Sequence, residues 1–517
     1  MAAPPAIAEA FRNLQAGNAA LALEVARKAA LSSPHLARAR LAEGIALRML
    51  GRLDESRAAL ARAATLDPSD YAIAYEIGVV HQLQGDLAAA AAQFEQARGL
   101  NPGFFAAHFS AGSLRFDRKE WDAAAERFRA ALAVQPGQPD ALGNLTRALQ
   151  LAGRADEAEH ALVHALAADP HDFHTLRTFG RFSVARGNFK RAATLFTEAW
   201  RARPDDEALP IFVAQVELLL GRWEAAWTAY GQRETRRQLE HPRAANAAAY
   251  RVPEIAALRG RDVCLVAEQG LGDILFFLRW APLIAAAGAR LRFLGPKRLH
   301  SVLARTGLFE TLHEHGDASL PATALPLLVG DLPQVAALHD PLSVPSLRIA
   351  PLPRKIAHWR SRLEHAGPRP WVGATWRAGL PPEQLAYGLF KTVPQEPFFA
   401  AIAGLGGTTV ALQRQPAAGE IDAAREWLGR ELHDFSDAND DLEDALALVA
   451  LIDRHVGVSN TNTHLAAAAG ATADVLVPFP PEWRWRIEGE SPWFPGFRVH
   501  RQAVDGDWSR ALAQLAR

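Results

Sequence analysis

Residues suited to acid–base chemistry follow the first apolar stretch in the second half of the chain. The stretch Val263–Ala267 predicts a buried strand, and the turn at 268–273 after it ends in Asp273. Gly270 and Gly272 let this turn fold tightly and let a ligand approach the backbone closely. Asp273 is interpreted either as the cap of the following helix or as a general base aimed into a cleft.

Two cations follow the apolar stretch Trp371–Trp376. Arg377 comes directly after it, and Lys391 comes soon afterwards. Cations that face a cleft neutralise the charge that grows on a phosphate leaving group, so both residues are predicted phosphate contacts. An ordinary surface charge is the alternative interpretation for each of them.

A third apolar stretch, His455–Ser459, leads into a dense polar segment at the start of a predicted helix. Helix N-termini bind anions because their free backbone N–H groups point outward. Simple capping by Asn460 or Thr461 is the alternative, but the segment holds more polar side chains than one cap needs, which favours a ligand contact. The predicted contacts are Ser459, Asn460, Thr461, Thr463 and His464.

Three further features complete the chemistry of the second half. Trp483 lies beside arginines, so it is predicted either to stack on a base or sugar or to pack between domains. The acidic run Asp437–Asp444 precedes an apolar periodic stretch and is interpreted as a helix N-terminus, so no metal is expected. The single cysteine, Cys264, cannot form an internal disulfide and is predicted to be a buried strand residue.

Short apolar runs alternate with helical periodicity through this half of the chain, which predicts parallel sheets with helices on both faces. Ligands bind at the carboxyl ends of the strands in such sheets, and the candidate residues follow predicted strands. Proline-rich stretches at 341–353 and 367–370 divide the region. We therefore predict two doubly wound domains, 261–360 and 365–517, that face each other across a cleft.

The predicted elements are short and regularly spaced. Strands are predicted at 263–267, 291–294, 325–329, 371–376, 408–412, 455–459 and 474–477. Helices are predicted at 274–287, 297–306, 395–404, 419–430, 441–452, 462–469 and 508–516.

Residues 1–236 repeat with a period of 34. Glycine allows a sharp turn between two antiparallel helices, and proline ends the second helix because it cannot continue the hydrogen-bond ladder. A 34-residue helix–turn–helix unit of this kind is the tetratricopeptide pattern, so the region is predicted to hold about seven such hairpins, followed by a linker at 237–260. The proline series is Pro34, Pro68, Pro102, Pro136, Pro170 and Pro204, and the turn series is Gly17, Gly51, Gly85, Lys119, Gly153, Gly187 and Gly221.

Two further series accompany the turns. Seven residues before each turn position stands a residue that is small in most repeats, and nine residues after it a residue that is large in most. Small residues let paired helices approach closely, and we expect the large residues to fill the space between one hairpin and the next. Examples are Gly44, Gly78 and Gly112 in the first series and Leu60, Phe94 and Phe128 in the second.

Stacked hairpins of this kind curve, and the first helix of each hairpin lines a concave groove. The groove is predicted to dock a peptide or protein through aromatic anchors and basic contacts. Solvated helix faces and packing residues are the alternative interpretation. The predicted groove residues are Tyr75, Phe109, Phe116, Arg147, Arg177 and Arg181.

The net charge and the hydropathy of the chain argue against some classes of function and location. The 517-residue chain has a formal net charge of -1 and a pI near 7.0, which argues against a general nucleic-acid binder because such proteins carry a basic excess. The N-terminus lacks the basic and apolar regions of a signal peptide, and no apolar run reaches the length of a membrane span. These patterns predict a cytoplasmic protein.

Taken together, the motifs of the second half resemble those of bacterial tetratricopeptide proteins with a C-terminal glycosyltransferase domain. That domain is related to the heptosyltransferases and more distantly to the O-GlcNAc transferases. The motifs that carry the resemblance are EQGLGD at 268–273, VGATWRAG at 372–379, FKTVP at 390–394, VALQRQ at 410–415, VGVSNTNTHLAAAAG at 456–470, and PPEWRW with SPWFP between 480 and 495.

The resemblance implies a GT-B fold made of two Rossmann-like halves, with the acceptor on the N-terminal half and the nucleotide-sugar on the C-terminal half. It implies metal-independent transfer, without a cofactor, to Ser or Thr of an acceptor protein docked by the repeats. Asp273 matches the catalytic base, Arg377 and Lys391 match cations near the donor phosphates, and Gln413 ends the strand near the nucleotide. Segment 459–464 matches the donor-binding helix start. Flagellin is the leading acceptor candidate, with a nonulosonic acid as one possible sugar.

One position departs from the family pattern, because many relatives carry aspartate where this chain has Asn460. The departure implies either a different donor contact or a weakened enzyme. Two alternatives stay open: a non-catalytic scaffold with a degenerate transferase domain, which Asn460 favours, and a transferase that acts on a polysaccharide or lipid-linked acceptor, as the heptosyltransferases do.

Overall fold

The fold is taken from a computed structural model, in which residues 5–240, 252–316, 323–336, 344–378 and 391–515 are described. The chain divides into two compact units, Met1–Phe182 and Ser183–Arg517. Part of the predicted linker, 241–251, lies outside the described residues.

Unit 1 consists of antiparallel helical hairpins, and the division between the units falls inside its last helix. The helices are α1 (Pro5–Gln15), α2 (Ala19–Ser32), α3 (Ala37–Met49), α4 (Leu53–Leu66), α5 (Tyr71–Leu83), α6 (Leu87–Leu100), α7 (Phe105–Asp117), α8 (Trp121–Val134), α9 (Pro139–Leu151), α10 (Ala155–Ala168) and α11 (Phe173–Ala185). Helices α2, α4, α6, α8 and α10 each end two residues before a proline of the 34-residue series, as the pattern predicts.

The turn between the two helices of each hairpin requires a left-handed backbone. All seven turn residues have a positive φ, from 62° at Lys119 to 83° at Gly85. Glycine adopts this conformation without steric cost, which explains why it recurs at this position. Lys119 adopts the same conformation with a side chain present, so the one departure in sequence is not a departure in backbone geometry.

The small and large series of the repeat meet inside a hairpin. A Cβ atom added to Gly78 would lie 2.7 Å from the Phe94 ring, and one added to Gly112 would lie 2.9 Å from the Phe128 ring. Each ring therefore packs directly on the backbone of the first helix. Phe94 also shares an apolar cluster with Ala111 and Leu114 of the following hairpin, so the large residue joins neighbouring repeats as predicted.

Unit 2 begins with helices that precede its first sheet: α12 (Phe189–Ala202), α13 (Leu209–Leu220), α14 (Trp223–Tyr230) and α15 (Glu234–Glu240). Helix α13 packs against the 3-10 turn Trp483–Trp485, and α14 packs against the helix Leu332–Val335. The unit that carries the sheets therefore starts inside the repeat pattern.

The first sheet has four parallel strands in the order β3-β2-β1-β4. Its strands are β1 (Asp262–Val266), β2 (Arg290–Leu294), β3 (Phe309–His313) and β4 (Leu325–Leu328). Its helices are α16 (Leu271–Phe277), α17 (Ala281–Ala286), α18 (His300–Ala304) and α19 (Leu332–Val335). Cys264 is buried in β1, where burial raises the pKa of its thiol to about 11.

The second sheet has six parallel strands in the order β10-β9-β8-β5-β6-β7. Its strands are β5 (Trp371–Thr375), β6 (Thr408–Ala411), β7 (Leu432–Asp434), β8 (Arg454–Val458), β9 (Ala473–Val477) and β10 (Arg498–Arg501). The helices are α20 (Pro353–Ala366), α21 (Gln395–Ala403), α22 (Glu420–Leu428), α23 (Leu442–Leu451), α24 (Thr461–Ala469) and α25 (Ser509–Leu515). Helix α20, which the predicted division at 360–365 would cut, packs on α23.

The seven predicted strands are all present, to within one residue at each end. The prediction missed β3, β7 and β10, and all three are edge strands. Edge strands are covered on fewer sides, so they lack the long apolar runs that identify the central strands of a parallel sheet.

One predicted helix is wrong in detail. The segment 274–287 is not one helix, because α16 begins earlier, at Leu271, and a 3-10 turn at Leu278–Trp280 separates it from α17. Pro282 lies in the first turn of α17 and cannot donate the hydrogen bond that would continue α16.

No helix among the described residues is both long enough and apolar enough to cross a membrane.

Replacing Lys119 with glycine is expected to stabilise unit 1 by about 0.5–1 kcal/mol, because the left-handed backbone is strained for lysine and not for glycine. Chemical denaturation followed by far-UV circular dichroism measures this change. Arg118→Gly is the matched control: Arg118 has φ -81°, so glycine there should destabilise by about 0.5–1 kcal/mol. A loss of stability in Lys119→Gly would contradict the prediction.

Candidate functional site

A cleft of about 260 Å³ lies where residues that follow strands of both sheets come together. The turn after β1 contributes one side, and the segments after β5, β6 and β8 contribute the other. Most of the site residues that the sequence identified in the second half of the chain therefore line this one cleft. The lining residues are Gly270, Leu271, Gly272, Asp273, Arg377, Ala378, Lys391, Leu412, Arg414, Asn439, Ser459, Asn460, Thr461, Asn462, His464, Glu482 and Arg484.

A chain of alternating charges crosses this cleft. The Arg484 guanidinium donates to the carboxylates of Asp273 and Glu482, and Lys391 Nζ lies 2.5 Å from Glu482 Oε2. Burial by itself raises the pKa of Glu482, but Lys391 and Arg484 together hold it well below its usual range. Glu482 and Arg484 therefore stay charged, although little of either side chain is exposed.

Asp273 is not the cap of the helix that follows the turn. Helix α16 begins at Leu271 with Gly270 as its N-cap, and no side chain caps it. Asp273 instead lies in the first turn, about one third exposed, with its carboxylate bonded to Arg484. The carboxylate thus faces the cleft, held by one guanidinium.

Asn460 caps the start of α24, as the alternative interpretation of this segment proposes. The Asn460 side chain accepts from the backbone N–H of Asn462, and the Thr463 hydroxyl accepts from the backbone N–H of Asn460. Asparagine and aspartate are about equally good N-caps, so the departure at Asn460 preserves the helix start. Ser459, Thr461 and His464 line the cleft beside it.

His464 explains one of the two glycines in the turn after β1. A Cβ atom on Gly272 would lie 2.9 Å from the His464 ring, so only glycine allows α16 and α24 to approach this closely. Burial lowers the pKa of His464 well below its usual value, and the nearby cation Arg484 lowers it further. His464 is therefore neutral at physiological pH.

Arg377 lines the cleft but is held in place by its neighbours. Its guanidinium lies 2.8–3.0 Å from both carboxylate oxygens of Glu420 and donates to the carbonyl of Gln415 at 2.7 Å. The buried Gln413 side chain accepts from the backbone N–H groups of Trp376 and Arg377. Gln413 thus braces the segment after β5 and is not among the lining residues.

Sequence reasoning missed three charged residues of the cleft, namely Arg414, Glu482 and Arg484. Arg414 comes two residues after Leu412, where the predicted strand β6 ends, so its position alone could have identified it. Glu482 and Arg484 flank Trp483 in the motif PPEWRW, and no local signal distinguishes them from surface charges.

Trp483 is buried in an aromatic cluster rather than placed among the lining residues. Its ring centroid lies 5.9 Å from Trp227 of α14, 5.1 Å from Phe276 of α16 and 6.0 Å from Trp493. The surroundings of Trp483 therefore fit the alternative interpretation, in which this residue packs between parts of the fold. The cluster joins the last repeat hairpin to α16 and to the C-terminal loop.

A buried network of charges joins the same hairpin to the turn after β1. Arg233, directly before α15, donates to Glu268 at 3.0 Å and to Asp331 at 2.7 Å, and all three side chains are almost fully buried. The backbone N–H of Gly330 also donates to Glu268, at 3.0 Å. One residue further on, the Gln269 amide donates to the Tyr230 hydroxyl. The turn that carries Asp273 is thus anchored to repeat helices at its first two residues.

Carboxylates of the acidic run at 437–444 make structural contacts. Asp441 caps α23, Asp437 pairs with Arg362, and Asp444 pairs with Lys355 and accepts from the indole of Trp359. Over the part of the chain that is described, no group of histidine, cysteine and carboxylate side chains has the arrangement of a metal site.

The predicted groove residues of unit 1 lie on the first helices of their hairpins, in aromatic surroundings. Tyr75 packs against Phe94 and Phe104, and its hydroxyl lies 3.3 Å from the Ser110 hydroxyl.

Further along unit 1, aromatic and basic groove residues meet. Phe109 stacks on Phe105, and the Arg147 guanidinium lies 5.4 Å from the Phe116 ring. The remaining pair differs in its contacts: Arg177 lies 5.2 Å from the Phe173 ring, whereas Arg181 is exposed.

Comparison with known families bears on the first half of the chain. Models of the tetratricopeptide repeat match residues 8–71, 75–139 and 115–178. The N-terminal region is a tetratricopeptide-repeat solenoid. Such repeats suggest that this region binds a protein partner.

Relatives extend the comparison into the second half. The chain is 26% identical to the protein FlbA of Caulobacter vibrioides over 443 residues, which cover 73% of this chain and 72% of FlbA. Because the repeats end before residue 240, a match of this extent includes part of the α/β region.

Among solved structures, the chain is similar to YrrB, a tetratricopeptide protein with an unusual peptide-binding site. The identity is 19% and the TM-score 0.31, over 36% of this chain and 96% of YrrB. It is also similar to the C-terminal part of a tetratricopeptide-repeat protein from Cytophaga hutchinsonii. There the identity is 14% and the TM-score 0.38, over 44% of this chain and 93% of that one.

Replacing Arg233 with alanine is expected to destabilise unit 2 by about 3–5 kcal/mol, because Glu268 and Asp331 would remain buried without their shared cation. Tryptophan fluorescence during denaturation reports this unit, since 12 of the 13 tryptophans lie after residue 182.

The matched control is Arg222→Ala in the preceding hairpin. Arg222 is half exposed and pairs with Glu217 at 3.2 Å, so its loss should cost no more than about 1 kcal/mol. Equal losses of stability in the two variants would show that the buried network stabilises unit 2 no more than an exposed ion pair does.

Proposed function

We propose that this protein is a glycosyltransferase that moves a sugar from a nucleotide-sugar to Ser or Thr of an acceptor protein held by the repeats. The observation that supports this most is the cleft, in which Asp273 faces Lys391, Arg484 and the start of α24. In this proposal the two sheets are the halves of a GT-B enzyme. The first half receives the acceptor, and the second half receives the donor.

The donor phosphates would lie at the start of α24, between Ser459 and His464. The dipole of α24 places partial positive charge at this helix start, and Lys391, which is shared with Glu482, lines the cleft beside it. As the bond to the sugar breaks, negative charge grows on the leaving phosphate, and these groups stabilise it. A neutral His464 adds no charge, but it contacts the turn that holds the base.

Asp273 would act as the general base. The acceptor hydroxyl oxygen attacks the anomeric carbon, its proton passes to the Asp273 carboxylate, and the electron pair of the breaking carbon–oxygen bond leaves with the nucleotide phosphate. Arg484 acts as a positioning residue in this step, because it fixes the carboxylate towards the cleft. No metal takes part in the proposed step.

The acceptor follows from the repeats and from the resemblance. A groove with aromatic and basic side chains suits a protein segment, and a protein docked there has a high local concentration at the cleft. Flagellin is the candidate acceptor, and a nonulosonic acid is a candidate sugar. A non-catalytic scaffold is the rival function, and donor binding separates the two.

Asp273→Asn is expected to lower the transfer rate by about 100-fold or more, because the amide keeps the shape of the side chain but cannot take the proton. Nucleotide binding should stay near that of the unchanged protein. The measurement is intact mass of purified flagellin incubated with the full chain and a panel of nucleotide-sugars, beside calorimetric titration of the free nucleotides.

Asp422→Asn is the control, since Asp422 is exposed on α22 and pairs with Arg425 on the same helix. Absence of nucleotide binding by the unchanged full chain would favour the scaffold. Nucleotide-sugar hydrolysis without flagellin modification would reject flagellin alone. An unchanged transfer rate in Asp273→Asn would reject Asp273 as the base.

A further inference from the structure

The cations that line the cleft are not equivalent. Arg377 is paired with Glu420, Lys391 with Glu482, and Arg484 with Asp273 and Glu482. Arg414 is exposed, and no carboxylate pairs with its guanidinium among the residues described. Within the described part of the chain, Arg414 is therefore the lining cation whose charge is not already neutralised by a carboxylate.

The backbone on both sides of Arg414 is fixed by buried contacts. The Gln413 amide, 1% exposed, donates to the backbone carbonyls of Arg377 and Arg414 at 3.2 and 3.3 Å. On the other side, Arg377 donates to the carbonyl of Gln415 at 2.7 Å. Gln415 itself has a φ of 46°, a conformation that is strained for non-glycine residues and persists only where the surroundings enforce it.

Glu420 closes this arrangement. Its carboxylate accepts two hydrogen bonds from Arg377 and one, at 2.7 Å, from the backbone N–H of Ala417. Burial by itself raises the pKa of Glu420, but the bonds from Arg377 and Ala417 lower it below its usual value, so the pair stays ionised. The loop 413–420 is thus held by contacts within it and with Arg377. The two charged residues that make these contacts, Arg377 and Glu420, neutralise each other.

We propose that Arg414 is the residue that contacts the phosphates of the bound nucleotide, and that the Arg377–Glu420 pair is the brace that presents it. This inference rests on the proposed function, and it replaces Arg377 by Arg414 as the predicted phosphate contact. A guanidinium suits the role, because its planar N–H groups match phosphate oxygens in pairs. Strand β6 is two strands from β8 in the sheet, so Arg414 and the start of α24 are separated by about 10 Å, within reach of one nucleotide.

The test is calorimetric titration of the full chain with UDP, GDP, ADP, CMP and inorganic pyrophosphate. For whichever probe the unchanged protein binds, Arg414→Ala should weaken binding about 10- to 100-fold, as expected for loss of a charged hydrogen-bond donor. The melting temperature without ligand should stay unchanged. Arg414→Lys should recover part of the affinity, because it keeps the charge and loses the paired geometry.

Two comparison variants make the result specific. Arg360→Ala removes another exposed arginine of unit 2, which lies on α20 and is not one of the lining residues, and should leave affinity unchanged. Glu420→Gln should lower the melting temperature, because Arg377 would lose its charged partner in a buried site.

Wild-type affinity in Arg414→Ala would overturn this inference and leave the proposed function standing. A lower melting temperature of Arg414→Ala without ligand would overturn it as well, because the residue would then be structural. Binding of no probe by the unchanged protein would overturn both proposals together.

Discussion

The buried guanidinium of Arg233 is the constraint on which the geometry of unit 2 depends. A charge taken out of water must find partners inside the protein, and here it finds Glu268 and Asp331 from two different strand ends. Three chain segments therefore meet at one point: the start of α15, the turn after β1 and the segment after β4. Since that same turn ends in Asp273, the position of a cleft residue is set partly by helices of the repeat pattern.

The aromatic cluster extends this joint over a larger surface. Trp227 of α14 contacts Phe277, Trp280, Trp483 and Trp493, and these rings bury apolar area that no isolated hairpin could cover. The Arg279 side chain lies among them and donates to the carbonyls of Phe276 and Trp493, while burial lowers its pKa to about 9. Tetratricopeptide helices and α/β elements thus share one core, which explains why the compact unit begins before the sheets.

Local patterns in the sequence predicted much of this, and distant pairings were beyond them. The turn residues, the central strands and the helix start at Asn460 each leave a signal within a few positions, since glycine, apolar runs and capping residues act locally. The bond between Arg484 and Asp273 spans 211 positions, and that between Arg233 and Asp331 spans 98. Nothing near either arginine in the chain indicates its partner. Arg377 was expected to face a ligand because it follows a strand, but only the fold reveals that Glu420 holds it.

Cations of the cleft already pair with carboxylates of the same protein, and this pairing has a consequence for an anion that enters the cleft. Lys391 and Arg484 already hold carboxylates, so an anion that binds either of these two cations must take the place of a counter-ion that belongs to the protein. Binding there is an exchange between two anions rather than the filling of an empty basic site. Its free energy is the small difference between two similar attractions, which allows modest affinity and rapid release. Exchange also frees the displaced carboxylate at the moment the anion arrives.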